Sequence, residues 1–85
     1  MTDVLYSEKA LEQLEALDTE ASERLVSKLE EAAEWTEHRL SPLSNAPFYK
    51  VRAGDYRAIV EWNREADEIR VRAAGHRRNI YDRNL

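Results

Sequence analysis

Cysteine is absent from this chain of 85 residues, and glycine, proline, methionine and phenylalanine are scarce, at two, two, one and one. Without cysteine there is no disulfide and no thiolate metal site, and the composition points to a cytoplasmic setting. No apolar run approaches the roughly 20 residues that span a bilayer, so no membrane association is expected. The opening residues Met1-Thr2-Asp3-Val4 lack the basic stretch and apolar run of a secretory signal, and none is expected. Both prolines, Pro42 and Pro47, fall in one stretch with Ser41, Ser44 and Asn45, which marks a break between elements. Lysine is rare too, at three positions against ten arginines.

Charge is abundant and unevenly placed. Residues 1–40 carry 11 Asp or Glu against 4 Lys or Arg, a balance of −7. Residues 41–85 carry 6 against 9, a balance of +3, and the two halves sum to the net −4 of the chain. The acidic half reads as a solvated helical surface and the basic half as the binding half. The length is that of one domain, 1–85, with one small core, in which about 60–65% of the unfolded surface is buried.

Val4-Leu5-Tyr6 predicts a short first strand. Ser7 is placed to cap a helix beginning at Glu8, and Ala10, Leu11, Leu14 and Leu17 follow at helical spacing. Asp18 or Thr19 predicts a second cap, after which Ala21, Leu25, Val26, Leu29, Ala32 and Ala33 keep the 3.6-residue period. With almost no linker between them, these segments predict a helical hairpin. His38 lies near the end of the second helix, where a cation is favoured. After the break at 40–47 come three strand-like runs, separated by Gly54-Asp55 and by residues 63–68. The expected fold is α+β: an N-terminal strand, a helical hairpin, then a three-stranded antiparallel meander, with the helices on one face.

Read at strand period, the second half separates a basic face from an apolar one. Lys50 and Arg52 alternate with Tyr49 and Val51. Arg57 and Ile59 alternate with Tyr56, Ala58, Val60 and Trp62, and Arg70 and Arg72 with Ile69, Val71 and Ala73. Tyr49, Tyr56 and Trp62 are thereby assigned to the core. Five cations would share one surface, and such a gathering of like charge implies a polyanion, with RNA the natural candidate. Arg70 and Arg72 either pair with Glu61 or Glu68 across strands or contact that polyanion. Trp35 falls off the apolar stripe and either packs on the loop at Pro42 or meets a partner. Gly54 is expected to supply a turn conformation that other residues resist.

The runs Tyr49-Lys50-Val51-Arg52-Ala53-Gly54-Asp55-Tyr56-Arg57 and Gly75-His76-Arg77-Arg78-Asn79-Ile80-Tyr81 resemble the RelE/ParE superfamily of toxins from type II toxin–antitoxin systems, and look closest to its RelE branch. The resemblance extends over nearly the whole chain in length and element order. It implies a fold similar to the small microbial ribonucleases and an endoribonuclease that cuts messenger RNA in the ribosomal A site. It also implies a cognate antitoxin that wraps and blocks the toxin, giving a hetero-oligomer. Position by position, Lys50 and Arg52 match the family's paired basic residues, Arg57 a phosphate-clamping arginine, Arg77 the basic residue after the last strand, and Tyr81 a tyrosine that stacks on a base or assists proton transfer. Arg70, Arg72 and Arg78 would add RNA contacts.

Cleavage by attack of the RNA's own 2′-hydroxyl needs a proton acceptor, cations for the five-coordinate phosphate and an acid for the departing 5′-oxygen. No metal and no cofactor is called for. Proton transfer falls to Lys50, His76 or Tyr81, with His76 a residue type that titrates near neutrality. Two other readings stay open: a non-catalytic inhibitor of DNA gyrase of the ParE kind, and a degenerate member that only binds antitoxin or DNA.

Overall fold

The computed structural model describes residues 2–43 and 47–78. The chain runs β1 (Asp3–Tyr6), α1 (Glu8–Ala16), α2 (Thr19–Glu34), α3 (Thr36–Arg39), β2 (Ser41–Pro42), β3 (Tyr49–Ala53), β4 (Tyr56–Asn63) and β5 (Glu68–His76). The strands form one sheet in the order β1-β5-β4-β3-β2. β1 runs parallel to β5, and every other pairing is antiparallel. This is the expected α+β arrangement of N-terminal strand, helices and antiparallel meander, with the short edge strand β2 added. No helix among the described residues is long and apolar enough to cross a membrane.

Local chemistry sets the helix ends. The Ser7 hydroxyl accepts from the Ala10 N–H at 3.0 Å, satisfying one donor that the first turn of α1 leaves free. Asp18 occupies the cap position of α2, where its carbonyl, not its carboxylate, accepts from Ser22 N–H at 3.0 Å. The second helix covers its whole apolar period but ends at Glu34, short of His38, which was expected near its end. Trp35 leaves the helical backbone at φ −143°, ψ 61°, and a single further turn, α3, follows. Ser41 and Pro42, expected as part of a loop, instead pair with Lys50 and Tyr49. A proline is tolerated there because β2 is an edge strand.

Ala10, Leu14, Leu25, Leu29, Ala32 and Ala33 of the helices pack with Val51, Ala53, Ala58, Val60, Ile69, Val71 and Ala74 of the sheet. Burial of this apolar face holds α1 and α2 to one side of the sheet. Tyr49, Tyr56 and Trp62 are half-buried against the same core.

One register feature overturns the simple alternation. The β4–β5 ladder slips between Ile59 and Val60: Val60 pairs with Val71, but Ile59 pairs with Ala73. Arg72 is the extra residue of a bulge, so the sides exchange beyond it. Ala73, expected beside Ile69 and Val71, instead joins Ile59 on the helix-free face, and Ala74 takes the core position. Leu43 and Phe48 pack over Ile59 and Ala73, so that face carries a small apolar cluster among its cations. The bulge is held from outside the sheet. Ser7 N–H donates to the Val71 carbonyl at 3.0 Å and Ser7 Oγ–H to the Arg72 carbonyl at 3.2 Å. The Gln13 amide oxygen accepts from Ala74 N–H at 3.0 Å.

Candidate nucleic-acid interface

The meander sets the cations of the helix-free face in rows. Lys50 lies opposite Ile59, which lies opposite Ala73. One row further, Arg52 lies opposite Arg57, which lies opposite Gly75. Because the side-chain period of a strand is two, Lys50 and Arg52 point the same way, roughly 7 Å apart along β3. The β2–β3 pairing brings a third cation to them. Arg39, at the end of α3, joins Ser41, Pro42, Lys50 and Arg52 in lining an open groove of about 470 Å³. Among the described residues no carboxylate comes within ion-pair distance of Lys50 or Arg52, whereas Arg39 is 3.6 Å from Glu31.

Arg39 is the groove residue that sequence reasoning missed. Its signal was the Ser41-Pro42 pair directly after it, which looks like loop until its pairing with β3 is known.

Arg57 differs from the other cations. It is only 9% exposed, and its guanidinium donates to the carbonyls of Gly54 at 2.7 Å and Tyr56 at 3.0 Å. It therefore braces the β3–β4 turn. Gly54 sits in that turn at φ 61°, in the left-handed region where a side chain is strained. Arg77 reaches the same turn from β5: its N–H donates to the Asp55 carbonyl at 2.8 Å, and its Nε lies 3.8 Å from the Asp55 carboxylate. Arg52, Arg57 and Arg77 thus gather around one hairpin end.

His76 belongs to another row. It pairs with Tyr56, which lies opposite Ala53, and this row packs on the helix side. Its ring stands edge-on to Tyr56 at 5.6 Å, and its Nδ1 accepts from Arg78 N–H at 3.2 Å. His76 is thus on the side of the sheet away from Lys50 and Arg52. Tyr81 lies outside the described residues.

Arg70 and Arg72 have carboxylate partners. Arg70 Nε donates to Glu68 at 2.8 Å, and the Arg72 guanidinium pairs with Glu61. Arg72 also lies over the Phe48 ring, 5.0 Å from its centroid. Trp35 is 55% exposed, with the His38 ring at 4.6 Å and the Arg39 guanidinium at 6.0 Å. Away from these residues, burial, and secondarily the Glu30 carboxylate, raise Tyr6 above the ordinary tyrosine value.

Residues 4–81 match the family model described as the ParE toxin of the type II toxin–antitoxin system parDE. Among solved structures, the chain is similar to one from the RelBE2 toxin–antitoxin complex of Mycobacterium tuberculosis. The TM-score is 0.80 at 19% identity, covering 89% of this chain and 98% of that one. A chain of the intact E. coli RelBE complex superimposes with a TM-score of 0.77 at 25% identity, covering 89% and 96%. One of the archaeal RelE–RelB complex from Pyrococcus horikoshii gives 0.75 at 19% identity, covering 92% and 97%. No curated protein matches by sequence.

Proposed function

Because the chain belongs to the ParE toxin family of type II toxin–antitoxin systems, within the RelE/ParE superfamily, we propose that it is a toxin that cuts messenger RNA on the ribosome and is held inactive by a cognate antitoxin. The observation that carries this reading is the groove of Arg39, Lys50 and Arg52, with Lys50 and Arg52 free of carboxylate partners among the described residues. Such a groove suits an RNA phosphate.

In the proposed step the RNA 2′-hydroxyl gives up its proton as its oxygen forms a bond to the adjacent phosphorus, and the bond from phosphorus to the 5′-oxygen breaks as that oxygen takes up a proton. The nucleophile is part of the substrate, so the toxin need only hold the backbone in line and stabilise charge. Arg52 and Arg39 neutralise the phosphate oxygens, and Arg57 fixes the turn that carries Arg52. Of the groove's three cations only lysine is a type that exchanges protons in proteins. Proton transfer is therefore assigned to Lys50, with Tyr81 as the second carrier implied by the family resemblance. His76, on the other side of the sheet, is not used. No step requires a metal.

The antitoxin partner is supported by the relatives, whose structures include complexes of toxin with antitoxin. A second reading, gyrase inhibition without catalysis, is favoured by the ParE description of the matching family. One experiment separates the two. Purified protein is added to a translating cell-free extract, the message is mapped by primer extension, and gyrase supercoiling is assayed with the same preparation. Discrete cuts in translated codons support the nuclease. Intact message with blocked supercoiling overturns it in favour of gyrase.

A further inference from the structure

Arg72 is an exposed arginine held unusually well. The bulge in β5 gives it to the helix-free face beside Ala73, and Ser7 and Gln13 pin the bulge backbone. Its guanidinium pairs with Glu61 and lies 5.0 Å from the centroid of half-buried Phe48, while the side chain stays 53% exposed. The residue also borders an open cavity of about 470 Å³, whose lining includes Leu5, Lys9, Glu61, Arg70 and Val71. Phe48 lies in the strand-like run before Lys50, one side-chain step along the same face. The contact of Arg72 with Phe48 therefore lies between the cationic groove at the β3–β2 edge of the sheet and this cavity at the β1–β5 edge.

We propose that Arg72, layered on Phe48 and fixed by Glu61, is a stacking platform for an unstacked RNA base seated in the cavity beside it. The inference rests on the RNA-binding reading above and assigns a base on the same face of the sheet as the phosphate held by Lys50 and Arg52. Single-stranded RNA is recognised by stacking its splayed bases on aromatic rings and guanidinium planes. A guanidinium already held over a ring loses little freedom when a base covers it. A purely electrostatic role would not need the plane, since any exposed cation would serve.

The test compares Arg72→Lys, which keeps the charge and loses the plane, with wild type and with Phe48→Leu, which keeps apolar cover and loses the ring. Each folded protein, checked by circular dichroism, is titrated with a short mixed-sequence single-stranded RNA. It is also titrated with an abasic phosphodiester chain of equal length. The proposal expects wild type to prefer RNA over the abasic chain. It expects Arg72→Lys and Phe48→Leu to bind RNA about tenfold more weakly while binding the abasic chain as before. RNA binding by Arg72→Lys equal to wild type overturns it, as does equal loss on both probes or a wild type that does not prefer RNA. Primer extension on the same preparations keeps the two readings apart. A wild type that prefers RNA without cutting message refutes the nuclease alone, and a cutting enzyme whose Arg72→Lys variant binds RNA unchanged refutes the platform alone.

Discussion

Arg52 and Arg57 face each other across the β3–β4 ladder, yet they have opposite surroundings: Arg52 is exposed at the groove, and Arg57 is buried with its guanidinium on the carbonyls of Gly54 and Tyr56. Two like charges at opposed positions are ordinarily unfavourable. Here the turn's carbonyl dipoles take up one of them, and the other stays exposed at the groove.

Removal of Arg57 should therefore act first on stability. Arg57→Ala leaves two carbonyls without a charged donor, and hydrogen bonds to charged groups contribute about 1.5–3 kcal/mol each. We expect the urea midpoint to fall by the equivalent of about 2 kcal/mol or more. An unchanged midpoint would show that the turn does not depend on this side chain.

Gly54→Ala should cost about 1 kcal/mol for conformational reasons alone. A Cβ at Gly54 meets nothing within 4 Å, so no clash adds to the strain of φ 61°. Thermal melting checks the size, and a loss several times larger would mean that the turn packs against something further.

Gln13 supports the bulge from α1. Gln13→Ala removes the acceptor of a partly buried Ala74 N–H, at a cost of about 1–3 kcal/mol. Amide hydrogen exchange at Ala74 should accelerate in this variant. Protection equal to wild type would contradict the assigned bond.

Alkaline stability should depend on Tyr6, whose folded pKa is raised by burial and by Glu30. The folded state then holds its proton where the unfolded chain has begun to release it. The resulting stability is complete below about pH 10, the ordinary tyrosine value, and is lost as pH rises through the folded pKa. Tyr6→Phe should flatten this alkaline decline in denaturant midpoint. A decline of the same steepness in the variant would assign it to another group.

Much of this was legible in the sequence. The helical period, the Ser7 cap and the Gly54-Asp55 turn predicted their elements because each is a local signal. The partner of a strand is not local. Ser41-Pro42 looks like loop, and only its pairing with Tyr49 and Lys50 brings Arg39 to the groove. The bulge escaped for a related reason. Strict alternation assumes an unbroken ladder, and the adjacent Ala73-Ala74, one buried on each face, were its faint mark. Burial of Arg57 was also hidden, since its partners are backbone carbonyls that no side-chain pattern records.

In the proposed reaction the cations of the groove carry out RNA cleavage, and the most direct measurement of it is the rate of message cutting by the Lys50→Ala/Arg52→Ala double variant in a translating cell-free extract. Arg52 is exposed and Lys50 half-buried, and neither has a carboxylate partner among the described residues, so the variant should keep the circular dichroism and melting temperature of the wild type. Loss of charge stabilisation and of proton transfer should slow cutting by about 100-fold or more. Wild-type cutting by the folded double variant would contradict the account.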